Sequence, residues 1–331
     1  MVKKVEITHK TIVFTVFFLF VLWFLYFIRD ILFQVLISFV IMSSFNPFVT
    51  RLEKRGLSRV LGTSVAYIIF LGVVGFTVYV LAPALVTETG SFVKNVPEYI
   101  ARIGLPVAFK EQILEQMLIQ LGQLPSQLAK TTISVFSNVI NVITILILSF
   151  YLLLAREKFD GAISNFFGDK KADSILLLIS KIESKIGGWA KAEVFLMLLV
   201  GSFTYLGLLL LHVPYALPLA ILAGLFEIVP MVGPFVAAIP AIVIGFSTSS
   251  FTGIATASLV FLIQQVENYI FVPKVMQKSA GVNPVVTLIT LSVGFRIQGI
   301  TGAIIAIPVI LALQVVVEEY ISKKRLPDTE Y

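Results

Sequence analysis

The chain has 331 residues, 58% of them hydrophobic and 13% charged, with a net charge of +6 and no Cys. Soluble domains carry roughly 25% charged residues, so this composition excludes one and defines an integral membrane protein. The lack of thiols excludes disulfides, thiol catalysis and Cys-ligated metals, and two histidines, His9 and His212, are too few for a His-based metal site.

The apolar runs are long and lack period-two alternation, which predicts an all-α polytopic fold rather than a barrel. The run from Thr11 to Ile28 is too long and aromatic for a signal peptide and reads as a first span. A second, Ile31 to Val49, ends in "RLEKRGLSR" with four basic residues, and a third covers about Val60 to Leu81. Residues 1–82 thus hold three spans. Residues 83–130 turn polar, divided into short helices by Pro83, Pro97, Pro106 and Pro125, and Phe109, Ile113, Met117 and Leu121 make one apolar face there. A fourth span occupies 131–155, followed over 156–191 by a basic amphipathic segment striped by Leu178, Ile182, Ile186 and Trp189, expected against an anionic leaflet. The fifth span runs from about Ala192 to Leu211.

Basic residues gather at the ends of apolar runs, which topology and anionic lipid explain better than nucleic acid. Lys3, Lys4, Lys10, the cluster after span two and the segment after span four share one side if spans one to four each cross once. The positive-inside rule makes that side cytoplasmic and 83–130 external. The expected location is the inner (plasma) membrane, with both termini and the tail 321–331 cytoplasmic.

Residues 192–320 read as the transport core. If the apolar stretches 215–247, 252–272 and 285–318 each cross once, Lys274 and Lys278 fall outside; if the first and third are hairpins, both lysines are cytoplasmic. The hairpin reading agrees with the charge rule and with the helix breakers. A 33-residue stretch would measure about 50 Å as a straight helix, too long for a simple span. This gives about eight membrane segments, two of them broken or re-entrant hairpins.

The first tip, "EIVPMVGP", offers Glu227 among Pro230, Gly233 and Pro234, with Pro240 beyond. The second, "FRIQGITG", offers Arg296 and Gln298 beside Gly299 and Gly302, with Pro308 beyond. Broken backbone at membrane depth persists only where protein or a water-filled cavity covers it, and an intramembrane acid reads as functional. Glu227 is therefore expected to couple ion or substrate, with Arg296 as its countercharge. Between the tips, Gln264, Gln265, Glu267 and Asn268 form a polar patch that suits either a ligand or an interhelical clamp, bounded by Pro273 and Pro284. Small residues spaced four apart, such as Gly233 and Ala237 or Gly302 and Ala306, permit close helix packing there.

The segments "EIVPMVGPFVAAIP", "QQVENYIFVPKVM" and "GFRIQGITGAIIAIPV" resemble the autoinducer-2 exporter-like transporters, a bacterial and archaeal family. The likeness spans nearly the whole chain, and the family's acid-x-x-Pro-x-x-Gly-Pro pattern falls on Glu227, Pro230, Gly233 and Pro234. It implies about eight membrane segments, cytoplasmic termini, and export of a small solute or ion-coupled transport. Members are credited with cargoes as different as a furanone-type signal and sodium or lithium exchanged for protons. The expected function is a secondary carrier exporting a small polar solute on an ion gradient, with a sodium(lithium)/proton antiporter as the alternative. The remaining alternatives are a non-transporting scaffold and an intramembrane enzyme, and the enzyme lacks Gly-x-Gly-Asp and His-Glu-x-x-His motifs. The expected partners are the solute or Na+/H+, the bilayer and a second copy of the chain; no cofactor or nucleic acid is expected.

Overall fold

The computed structural model describes residues 9–102, 140–230, 232–276 and 283–325. They form ten α-helices: α1 His9–Phe27, α2 Arg29–Glu53, α3 Arg59–Arg102, α4 Ile140–Phe167, α5 Asp169–Leu210, α6 Ala216–Phe226, α7 Gly233–Thr248, α8 Ser250–Val266, α9 Val272–Met276 and α10 Pro284–Arg325. A π-helical turn, Glu267–Phe271, joins α8 to α9. Among the described residues seven helical stretches are long and apolar enough to cross a bilayer, and α6 and α7 are shorter apolar helices. The protein is an all-α, multi-spanning membrane protein.

The helix α1 presents Phe14, Phe17, Phe20, Trp23 and Phe27 outward and buries nothing, as expected of a surface for lipid or another subunit. Helices α2, α3 and α4 pack around Met42, Val49, Ala66, Tyr67 and Leu153, and the Tyr67 hydroxyl lies 2.5 Å from Ser149 Oγ. A charged lattice closes one end of this bundle. Arg59 donates to the Leu153 carbonyl, to Glu53 and Glu157, and to Asn46, while Arg156 pairs with Asp160 and Glu183. Lys181 and Lys185 on α5 reach Glu319 and Glu318 on α10. The C-terminal end of α2, the start of α5 and the end of α10 therefore share this charged end. At the opposite end Gln34 meets Asn141 and Gln298 donates to Asp30 at 2.6 Å.

Two features differ from the sequence reading. The third helix does not stop near Leu81 but continues through Pro83 and Pro97 to Arg102. A proline removes one backbone donor and strains the preceding turn, and here the helix absorbs both losses. The rest of the expected amphipathic segment, including Phe109, Ile113, Met117 and Leu121, lies outside the described residues. The basic segment 156–191 likewise belongs to long helices, since α5 runs unbroken from Asp169 into the fifth span. Its stripe faces protein: Ile186 and Trp189 are buried with Leu291, Ala303, Ile307 and Leu311 of α10, and Ile182 packs alongside. Packing against α10 turns Ile182, Ile186 and Trp189 away from any leaflet surface.

In the C-terminal half the chain doubles back twice. α6 and α7 lie antiparallel, with Ala216 and Leu219 against Ala241 and Ile244 at one end and Gly233 on the Phe226 carbonyl at the other, so close that a Cβ would sit 1.7 Å from its oxygen. The breakers explain the turn: Pro230 cannot continue α6, and Pro234 suits the first turn of α7. α10 leaves helical geometry at Gln298 (φ −143°, ψ 29°) and Gly299 (φ 58°, ψ −141°). Positive φ with that ψ is open to Gly and not to residues bearing a Cβ. Past this point the chain reverses, because Gly302 is stacked on Gly294: a Cβ on Gly302 would lie 2.0 Å from the Gly294 oxygen. In a continuous helix these residues would stand about 12 Å apart.

Candidate functional site

Four glutamates are deeply buried among the described residues, and their surroundings separate them into two kinds. Glu183, at the charged end, is answered by Arg156 and Asn46. Glu193, Glu227 and Glu267, with exposures of 3%, 2% and 5%, have no such cation among the described residues. Among the described residues one oxygen each of Glu227 and Glu267 lacks a hydrogen-bond partner, and the Glu193 carboxyl has the Trp189 side chain beside it. The three carboxyl groups act on one another electrostatically, and those of Glu227 and Glu267 meet at hydrogen-bonding range.

Local structure sets these positions. Glu227 is the first residue beyond α6, at the α6–α7 turn. Glu193 lies on α5 one helical turn after Trp189. It faces that turn because α5 and α6 approach through Gly201 and Gly224, where a Cβ on Gly224 would lie 2.7 Å from the Met197 carbonyl oxygen. Small residues thus let two backbones touch and bring an acid from each helix to one level. Glu267 opens the π-turn, a rare geometry that recurs at functional sites.

Beside Glu267 lies a cavity of about 30 Å³, lined also by Val200, Thr204, Ala223, Pro234 and Gln264 among others. A cavity needs roughly 10–15 Å³ of such volume for one water, so this one suits one or two waters or a bare small cation. The chemistry of the acid pair is constrained. An ionised carboxylate only accepts hydrogen bonds, so a Glu227–Glu267 contact needs a proton between the two groups or a cation replacing it. Among the described residues no three His, Cys, Asp or Glu side chains converge closely enough to hold a metal ion.

The residues singled out in the sequence divide accordingly. Glu227, Gln264 and Glu267 come together, with the Gln264 amide beside the Glu267 carboxyl. Gln265 is half-buried and Asn268 exposed, because their positions on α8 and the π-turn point away from the cavity. Pro230, Gly233 and Pro234 make the turn, and Pro240 sits inside α7. Arg296 does not supply a countercharge to Glu227. It is exposed and has no ion pair among the described residues, since the α10 turn reaches the bundle end of Asp30 through Gln298 whereas Glu227 lies level with Glu193. Gly299 and Gly302 shape that second turn, Pro308 is buried within α10, Pro273 lies in α9 and Pro284 opens α10. Lys278 falls outside the described residues. Glu193 was missed, although a lone acid at the head of the apolar run 192–211 carries the same signal that marked Glu227.

A multi-spanning helical bundle with doubled-back segments and unpaired buried acids belongs to the class of membrane transport proteins. The chain belongs to the AI-2E transporter family: the family model described as AI-2E family transporter matches residues 12–322. It is 26% identical over 310 residues to YueF of Bacillus subtilis (strain 168), covering 86% of this chain and 83% of that one. It is 24% identical over 310 residues to YrrI of the same organism, covering 89% and 88%. MJ1177 of Methanocaldococcus jannaschii is 25% identical over 209 residues, 61% of this chain and 62% of that one. All three are named as transport proteins.

Proposed function

We propose that this protein is a secondary carrier of the plasma membrane in which a proton and a small monovalent cation compete for the Glu227–Glu267 pair. The observation that carries this reading is the set of three buried acids with no cation paired to them among the described residues, one of which, Glu267, lines a cavity of about 30 Å³. Permanent charge there is costly, so each acid must be neutralised, and a proton and a cation are alternative ways of doing so. A small polar organic solute, the cargo first expected from the sequence, needs a wider chamber than the one beside Glu267, since ligand pockets run to about 300 Å³ or more. Sodium or lithium exchanged for protons fits the volume.

The expected assay uses full-length protein in vesicles of phosphatidylethanolamine and phosphatidylglycerol, with an imposed proton gradient and sodium or lithium as counter-ion. Cation accumulation should reverse direction when the gradient is reversed. Absence of cation flux under either gradient, with a solute panel equally inert, would leave the scaffold alternative standing.

The same proposal places the α6–α7 pair as a re-entrant hairpin dipping from the outer face. At about 1.5 Å per residue α6 spans about 16 Å and α7 about 24 Å, each short of a hydrocarbon core near 30 Å. The charged bundle end is then cytoplasmic, with both chain termini. Lys274 follows, because Met276 of α9 packs with Ile186 and Trp189 toward that end. In this Cys-free chain Lys274→Cys should react with an impermeant maleimide in inside-out vesicles and stay silent in intact cells. Labelling in intact cells would reject the topology.

A further inference from the structure

The charged end of the bundle holds a second cavity, of about 470 Å³ between α2 and α5. Arg51, Lys54 and Lys191 line it with the hydroxyls of Thr50, Ser180 and Ser184. None of these three cations has an ion pair among the described residues, and Arg51 and Lys191 are near enough to repel one another. The one acid in the wall, Glu183, is already taken by Arg156 and Asn46. Ser43, 1% exposed, also lines the chamber, and its Oγ has no hydrogen-bond partner among the described residues. A buried donor without an acceptor, beside three solvent-exposed cations that have no ion pair among the described residues, suits an anion arriving from the membrane surface.

The chamber does not stand alone. Lys191 also borders an apolar groove of about 560 Å³ lined by Ile41, Phe45, Phe48, Phe70 and Val194. The exposed aromatic and aliphatic flank of α2, α3 and α5 continues from it, as on a surface that meets hydrocarbon. A basic, hydroxyl-lined chamber joined at one lysine to an apolar trough has the polarity of one amphiphile: a phosphate above, an acyl chain below.

We propose that this composite cavity binds one anionic phospholipid, its phosphate among Arg51, Lys54 and Lys191 and one acyl chain in the groove beside Phe45 and Phe48. The occupant is a bilayer lipid rather than a soluble anion because the apolar trough would otherwise contribute nothing, and because Lys and Arg at a membrane-facing helix end attract anionic headgroups. Bound there, the lipid would clamp α2 to α5, the helix that carries Glu193.

The test is lipid binding to the delipidated full-length protein in detergent, read by native mass spectrometry and by melting temperature. Dioleoyl phosphatidylglycerol is expected to bind at least tenfold more tightly than dioleoyl phosphatidylcholine and to raise the melting temperature further. The variant R51Q/K54Q/K191Q should bring the two lipids to equal affinity. R55Q/K158Q/K171Q, which removes the same charge from exposed positions outside the chamber, should keep the preference. Lys191→Gln alone should lose threefold or more, which covers failure of the triple variant to fold. Equal binding of the two lipids by wild type, or equal losses in the two triple variants, overturns the proposal. So does glycerophosphoglycerol binding as tightly as the whole lipid, since that would make the chamber a soluble-anion site.

Discussion

Glu227→Gln is expected to lower proton-driven cation flux at least tenfold while leaving expression, oligomeric state and detergent stability near those of the wild type. The amide matches the carboxyl in size and can still donate to Glu267, so the α6–α7 turn keeps its contacts. What it loses is the capacity to alternate between a proton and a cation. Glu267→Gln should have the same effect from the other side of the pair. Gln264→Ala, which removes a neighbouring amide and no charge, should cost much less. The measurement is initial rate in vesicles across pH and sodium concentration. If Glu227→Gln keeps the wild-type rate with the wild-type dependence on both, the acid is structural and the exchange reading fails. Arg296→Ala gives a useful contrast. An exposed cation at the other turn should change the rate without altering the competition between proton and sodium.

Gly302→Leu is expected to abolish folded protein altogether, and Gly302→Ala to lower the melting temperature sharply. The cause is backbone contact: a Cβ there meets the Gly294 oxygen at 2.0 Å, and a carbonyl in a helix cannot swing aside as a side chain can. The cost should reach or exceed the roughly 3 kcal/mol at the upper end of overpacking penalties. Gly72→Ala is the control, since nothing lies within 4 Å of a Cβ at that position. It should be neutral or slightly stabilising because Ala is the better helix former. Thermal unfolding of the purified variants decides the matter. Equal melting temperatures for Gly302→Ala and Gly72→Ala would show that the two arms of α10 do not stack as described.

The contrast between these two glycines marks what a sequence can convey. Both are Gly in apolar helices, and only the fold of α10 distinguishes them. The breakers themselves were legible: Pro230, Gly233 and Pro234 end one helix and begin another by their own covalent geometry, and Gly299 supplies a positive φ. Helical class, the first spans and the clustering of basic residues at one end were legible too. Hydrocarbon thickness and the cost of unsatisfied backbone act on each segment separately.

Partners across the bundle were not legible. Charge alone paired Glu227 with Arg296, the one cation at a tip, whereas packing through Gly201 and Gly224 set Glu227 beside two more acids. Likewise the stripe of Ile182, Ile186 and Trp189 has the period of a surface helix, and only its contact with α10 shows that it faces protein. Periodicity records that a helix has an apolar side and is silent on whether lipid or protein covers it. Within a membrane the two are almost equally apolar. The sequence by itself therefore determined the class of this protein, its breaks and its acids. The tertiary structure decided which acids lie together, because close backbone contacts between distant segments set that arrangement.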